Sequence, residues 1–266
     1  MSKMTINEIK ELLFNEDGMD QNQLTLLKTD ERKGVQKLLK QFELKKQKLE
    51  KELLDHQNRL QYEVNLYSNP NVTYIAGIDE VGRGPLAGPV VAASVILPQD
   101  MDRLVGINDS KTLSHAKRVQ YADLIKEVAL AYSVVEIDNN GIDKVNILEA
   151  TKQAMLKSVN ELPIKPNHLL IDALTLNTTI PQTEIIKGDE RSISIAAASI
   201  IAKVHRDELM VKYHDLYPEF QFDKNMGYGT KNHLEALHNY GYTPIHRHSF
   251  SPVNNISFAY NSRKTK

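Results

Sequence analysis

The chain changes its hydrophobic period at Ser68-Asn69-Pro70-Asn71, and this change limits the folds open to it more than any other feature. The residue before a proline resists the helical region and asparagine favours turns, so a helix arriving from the N-terminal side must stop there. Before the break the sequence reads almost wholly as helix: Thr5-x-x-Glu8 has the form of a capping box, and Val35, Leu38, Leu39 and Phe42 recur at helical spacing. After it, strand-like and helix-like stretches alternate. Strands are predicted near residues 73–79 and 89–97, a helix from Ser114 to near Tyr132, and a strand over 133–137. A helix over 146–162 closed by Pro163 follows, then the short apolar run Leu169-Leu170-Ile171 ending at Asp172. Residues 183–187 add a strand, and 192–216 a long helix carrying Ile193, Ile195, Ala196, Ala197, Ile200, Ile201 and Val204. This order predicts an α/β domain over 71–266, with a central mixed sheet flanked by helices, and an all-helical extension over 1–70.

With 266 residues, 41% of them apolar, the chain can bury a full core. Its formal charge of −1 means that any nucleic-acid partner must be gripped by local patches and not by a global positive field. The absence of cysteine excludes disulfides, thiolate zinc sites and cysteine nucleophiles. No run approaches ~18 consecutive apolar residues and the N-terminus lacks a signal-peptide apolar core, so a soluble, cytoplasmic protein with no membrane partner is expected. Lys37, Lys40, Lys45, Lys46, Lys48 and Lys51 crowd one stretch, but residues 1–70 hold twelve basic and twelve acidic side chains, which favours a solvated helical face over a nucleic-acid grip. Residues 251–266, ending Arg263-Lys264-Thr265-Lys266, read as a flexible basic tail.

The chemistry centres on Gly77-Ile78-Asp79-Glu80-Val81-Gly82-Arg83-Gly84, where a strand-forming run meets two adjacent carboxylates and a glycine-flanked arginine. Two carboxylates in contact repel by about 1 kcal/mol in water and about 4 kcal/mol near a protein surface. A divalent cation offsets that repulsion, and all-oxygen, sulfur-free ligation points to Mg²⁺ or Mn²⁺. An isolated Asp-Glu pair is ordinarily a solvated strand end; here Gly77, Gly82, Gly84 and Gly88 surround it, and their clustering implies close backbone approach to a ligand. Adjacent strand residues point to opposite faces, so both acids can meet one metal site only if the strand ends or bulges there. Gly82-Arg83-Gly84-Pro85-Leu86-Ala87 also fits a dinucleotide fingerprint, but that motif must open a helix, and the strand-like Pro89 to Leu97 follows instead. Asp172 ends an apolar run as Asp79 does, and Asp189 stands behind Gly188, seventeen residues on. Strand ends are where α/β sheets build ligand sites.

The segment from Gly77 through Pro89 resembles the signature of the type 2 ribonucleases H, ribonuclease HII. The resemblance continues through Asn108-Asp109-Ser110-Lys111, Leu170-Ile171-Asp172, Lys187-Gly188-Asp189, residues 196–204, Gly227-Tyr228-Gly229-Thr230 and His246-Arg247-His248-Ser249-Phe250, covering residues 73–250. Type 3 enzymes usually carry threonine between the two glycines, so Arg83 favours type 2. The first seventy residues lie outside the common core, although some bacterial members have a similar extension.

The resemblance implies a ribonuclease H fold and endonucleolytic cleavage of RNA in RNA/DNA hybrids, including a lone ribonucleotide embedded in duplex DNA, leaving a 5'-phosphate and a 3'-hydroxyl. Asp79, Glu80, Asp172 and Asp189 match the four carboxylates that hold two Mg²⁺ or Mn²⁺ ions. It also implies that Gly82, Arg83 and Gly84 contact the ribose hydroxyl and nearby phosphates, and that Tyr228 stacks on the sugar at the junction with DNA. Ser110, Lys111 and Lys203 match phosphate contacts. Asp207 and Glu208 fall outside the carboxylate set and read as helix surface. His233, His238, His246 and His248 lack convincing metal-ligand spacing and read as structural or phosphate-contacting. A monomer is expected; whether a replication or repair protein recruits it is left open. The competing class is a non-catalytic hybrid-binding protein of the same fold, which the full carboxylate set argues against; a dinucleotide-dependent enzyme is the third.

Overall fold

The computed structural model describes residues 4–15 and 19–260. The chain forms two compact units, Met1–Asp55 and His56–Lys266. In the first lie α1 (Ile6–Phe14), α2 (Gln21–Lys28) and most of α3 (Lys33–Arg59). The expected capping box is present: Thr5 Oγ1 accepts from the Glu8 amide at 3.2 Å and the Glu8 carboxylate accepts from the Thr5 amide at 2.6 Å. Ile9, Leu13, Leu27, Val35, Leu38 and Leu39 form this unit's own core, with Phe42 packed against it. The helical stripe read from the sequence is therefore the inward face of α3. The break between units falls ahead of the Ser68–Asn71 turn, so α4 (Gln61–Tyr67) is part of the larger unit.

The larger unit is built on one mixed sheet of β1 (Ile75–Val81), β2 (Val90–Ile96), β3 (Ala131–Ile137), β4 (His168–Asp172) and β5 (Gln182–Ile185), in the order β3-β2-β1-β4-β5. β1, β2 and β3 are antiparallel neighbours, whereas β4 and β5 run parallel to β1. The helices are α5 (His115–Val128), α6 (Asn139–Val145), α7 (Ile147–Asn160), α8 (Gly188–Arg191), α9 (Ile193–Leu216), α10 (Phe222–Asn225) and α11 (Lys231–Tyr240). Alternate residues of β2 serve opposite faces. Val91, Ala93 and Val95 pack with α5 and α9, while Ala92 and Ile96 pack with Ala154, Met155 and Val159 of α7. Ser192 caps α9 by accepting from the Ile195 amide at 3.2 Å. The small side chains Ala196, Ala197 and Ala198 let α9 lie close to the sheet.

Several boundaries differ from the expected ones. The helix after Ser114 ends at Val128, because the chain must already be extended at Ala131 to pair with Ile96, and Tyr132 belongs to β3. The helix expected over 146–162 is α7, capped by Asn146 at φ 72°, and a short helix not expected from the sequence, α6, ends just before it. The strand expected over 183–187 is β5, ending at Ile185. Residues 251–260 are not a loose tail: Val253 is buried with Phe220, Phe222 and Ile245, and the Tyr260 hydroxyl donates to Glu219 at 2.7 Å. The basic residues 263–266 lie outside the described residues. Among the described residues no helix is long and apolar enough to cross a membrane.

Candidate active site

The four acids singled out in the sequence lie toward the C-terminal ends of two neighbouring strands and at the start of the helix just beyond β5. β1 and β4 pair in parallel with Ile78 opposite Ile171, so Asp79 and Asp172 are the next residues on neighbouring strands, at the C-terminal end of both. Glu80 follows Asp79, and Asp189 begins α8 just beyond β5. The Gly188 amide donates to Asp172 Oδ1 at 2.6 Å, tying the end of β4 to the start of α8. The Glu80 amide donates to Asp79 Oδ1 at 2.7 Å, and Lys111 Nζ donates to Asp189 Oδ2 at 3.2 Å. Asp79 is 4% exposed. Its burial, then the charges of Glu80 and Asp172, push its carboxyl well above the usual range, against a hydrogen bond from Ser199. Burial also raises Glu80, opposed by Arg83, and raises Asp172, opposed by the Gly188 amide. The acids therefore share one electrostatic neighbourhood.

The expected strand end or bulge between the two adjacent acids is not there. Pairing with β2 stays regular from Ala76 opposite Ile96 to Val81 opposite Val91, and the chain turns only at Gly82, where φ is +92°. Asp79 and Glu80 therefore leave the strand on opposite sides. Among the described residues, no three His, Cys, Asp or Glu side chains are gathered closely enough to hold an ion as they stand. The donor chemistry nevertheless fits a hard divalent cation. The donors are all oxygen, the charges of Glu80, Asp172 and Asp189 all raise the proton affinity of Asp79, and Glu80 Oε2 is buried with no hydrogen-bond partner among the described residues.

Glycine clustering around the acids has an internal cause that the sequence reading assigned to a ligand. A Cβ on Gly77 would overlap the backbone of Ser194, so this glycine lets the start of α9 rest on β1. A Cβ on Gly82 would overlap Arg206. Of these glycines only Gly84 is exposed, and an added Cβ there would just touch the Tyr228 ring, at 3.4 Å. Tyr228 is 47% exposed and Arg83 is exposed, so the arginine, the open glycine and the tyrosine present one accessible surface beside the acids.

Two arginines that sequence reasoning passed over hold this surface from below. Arg247 donates to the carbonyls of Gly82, Arg83 and Gly88, at 2.5, 2.9 and 3.0 Å. Arg206 donates to those of Ala87, Pro89 and Met226, at 3.1, 3.0 and 2.9 Å. Both are wholly buried. Arg247 stood inside a quoted motif, yet no periodicity could show that it points inward.

The remaining sequence candidates divide by exposure. Ser110 is buried, 3.0 Å from Ser199 Oγ, which places Ser199 between it and Asp79. Lys111 has a 77% exposed side chain. Lys203 is paired to Asp207 at 2.6 Å, with Arg118 at 3.7 Å on the other oxygen. Asp207 is therefore not helix surface but a buried ion-pair partner; Glu208 is exposed as expected. His233 and His246 are buried, whereas His238 and His248 are exposed.

A mixed sheet of this order, with acids at the ends of two adjacent parallel strands, places the chain among proteins of the ribonuclease H-like fold. A family model for ribonuclease HII matches residues 76–253, and one for the ribonuclease HII N-terminal domain matches residues 5–67. Ribonuclease HII of Ligilactobacillus salivarius is 54% identical over 256 residues, covering 96% of this chain and 99% of the relative. Ribonuclease HII of Bacillus cereus is 51% identical, with the same coverage. The solved ribonuclease H2 of Pyrococcus horikoshii superposes with a TM-score of 0.60 at 27% identity, covering 69% of this chain and 96% of that one. Ribonuclease HII of Archaeoglobus fulgidus, solved in complex with PCNA, gives 0.53 at 28% identity, covering 62% and 87%. The chain belongs to the ribonuclease HII family. It is accordingly a ribonuclease H, acting on RNA/DNA hybrids.

Proposed function

We propose that this chain is a divalent-metal-dependent endonuclease that cleaves the RNA strand of hybrids and also incises on the 5' side of single ribonucleotides in duplex DNA. The products carry a 5'-phosphate and a 3'-hydroxyl, and in the cell the cut opens removal of the ribonucleotide. The observation that carries this reading is the placement of Asp79, Glu80, Asp172 and Asp189 toward the C-terminal ends of β1 and β4 and at the start of α8, beside the surface of Arg83, Gly84 and Tyr228. Those carboxylates would hold Mg²⁺ or Mn²⁺, and a pair of such ions supplies an activated water and a stabilised leaving oxygen for in-line displacement at phosphorus.

The other residues bind and orient. The exposed ring of Tyr228 stacks on the sugar at the ribonucleotide-deoxyribonucleotide junction, and the Gly82-Arg83-Gly84 backbone contacts the 2'-hydroxyl, the group that separates RNA from DNA. Lys111 positions a phosphate, since its ammonium is exposed while it touches Asp189. Lys203 reaches a phosphate only when its pair with Asp207 opens. Ser110 acts through Ser199.

The test is incubation with labelled duplex DNA carrying one ribonucleotide, with and without Mg²⁺ or Mn²⁺, beside an all-DNA control. Metal-dependent incision 5' to the ribonucleotide alone is the expected result. Tight binding without incision in either ion would overturn it in favour of a binding protein of the same fold.

A further inference from the structure

Two buried imidazoles outside the acid cluster face each other: His233 Nε2 on α11 lies 2.9 Å from His246 Nε2 in the C-terminal segment. Two ring nitrogens at that distance need one proton between them, and the far end of each ring says which way it points. His246 Nδ1 accepts from the Thr243 amide at 2.9 Å, and an amide nitrogen can only donate, so this nitrogen carries no proton. The Thr243 hydroxyl lies 2.7 Å from the same atom. His233 Nδ1 lies 2.9 Å from the carbonyl oxygen of Tyr228, which can only accept, so this nitrogen carries one. A neutral pair satisfies both ends in a single arrangement: His246 Nε2–H donates to His233 Nε2, and His233 Nδ1–H donates to Tyr228. A hydrogen-bond chain of fixed polarity thus runs from Thr243 to the backbone of Tyr228.

That carbonyl lies in a turn whose direction decides where the ring goes. Met226 and Gly227 have positive φ, and the Thr230 amide donates to the same Tyr228 oxygen at 2.8 Å. The ring itself is half exposed, so its bearing comes from its backbone. His246 is in turn fixed in place: Asn139 Nδ2 donates to its carbonyl at 2.9 Å, and it bridges to Ala87 beside the glycine loop.

We propose that His233 and His246 are positioning residues that set the orientation of Tyr228, and through it the preference for a ribonucleotide-DNA junction over the interior of a long hybrid. This rests on the reading of Tyr228 given above.

The experiment uses the full chain with Mg²⁺ and measures kcat/KM at a single embedded ribonucleotide relative to a long RNA/DNA hybrid. Removing the donor with His233→Phe should lower that ratio about fivefold, the effect of one buried hydrogen bond. His233→Asn, whose amide nitrogen replaces Nδ1, should restore most of it, and His233→Gln, which replaces Nε2 instead, should not. In a Tyr228→Ala background none of the three should change the ratio further. If His233→Phe folds poorly, His246→Gln, which keeps a donor toward His233, should outperform His246→Asn. Imidazole ¹⁵N shifts should place the protons on His233 Nδ1 and His246 Nε2; the opposite tautomers would overturn the proposal. So would equal ratios for the Asn, Gln and Phe variants, when Tyr228→Ala alone lowers the ratio. Should Tyr228→Ala leave the ratio unchanged, the reading of Tyr228 fails and takes this proposal with it.

Discussion

The buried guanidinium of Arg247 donates to the carbonyl of Gly82 at 2.5 Å, joining the C-terminal segment to the turn that follows the paired acids. Its three hydrogen bonds all go to carbonyls, and among the described residues no carboxylate forms a salt bridge with it, although the charge of Asp143 acts on it. Burial, then the charge of Arg206, lowers its pKa to about 9, which leaves it charged at neutral pH. Drawing the Gly82, Arg83 and Gly88 carbonyls inward, it leaves positive charge beneath a surface proposed to meet phosphates.

Arg247→Ala should therefore destabilise the larger unit by about 3 kcal/mol, because three carbonyls, two of them in fully buried bonds, lose their donor. Arg247→Lys should recover only part of this, since one ammonium cannot reproduce the planar fork. Urea denaturation of both variants measures it, and a near-neutral Arg247→Ala would show that the turn is held by other contacts.

Asp79→Asn should separate stability from activity. It removes one of several mutually repelling buried charges, so in chelator the variant should be more stable than the parent by about 1 kcal/mol or more. Incision should be lost. Addition of Mg²⁺ at a hundredfold over its dissociation constant should stabilise the parent by about 2.7 kcal/mol and the variant by less. Thermal midpoints with and without the ion check all three statements, and equal stabilisation would remove Asp79 from the ligand set.

Gly77→Ala probes the contact between β1 and α9. The added methyl would overlap the Ser194 backbone, which is covalently fixed and cannot move aside as a flexible side chain could. A loss of about 3 kcal/mol or more is expected, at the upper end for overpacking. Unfolding measured by circular dichroism checks it; an unchanged midpoint would mean that strand and helix do not touch there.

What the sequence disclosed was what is local. The α9 run announces itself through Ser192 and its apolar residues, and β1 and β2 through unbroken apolar stretches. The acids were legible because each ends or follows such a stretch. Partners far apart in the chain were not: Arg247 finds all of its carbonyls, and Arg206 those of Ala87 and Pro89, more than a hundred residues away on the glycine loop. Asp207 looks like helix surface until Arg118, from α5, is seen against it. Gly77 illustrates the same limit, since a glycine that admits a ligand and one that admits the chain's own helix leave the same mark in a sequence. The short α6 was hidden by Gly141 and by the single left-handed residue, Asn146, that separates it from α7.

The neutral imidazole pair gives stability a pH dependence whose sign can be worked out. Burial, then the charge of His233, lowers His246 from its ordinary 6.5 to about 3, and burial lowers His233 as well. Below pH 6.5 the unfolded chain takes up a proton that the folded chain refuses until near pH 3, so acid favours unfolding across that window. Stability is full above pH 6.5 and should fall by about 1.4 kcal/mol per pH unit below it from His246 alone. Glu63 contributes in the opposite direction: burial raises its carboxyl, so its share of stability is present at low pH and is lost as pH rises through the folded value. Comparison with His246→Gln isolates the histidine, because that variant keeps Glu63 and loses the titrating ring. Urea midpoints from pH 7.5 down to 4.5 should converge, the parent losing more than the variant at each step below pH 6.5. Parallel curves would mean that His246 takes up its proton at the same pH folded and unfolded, and the neutral pair would then not persist below pH 6.5.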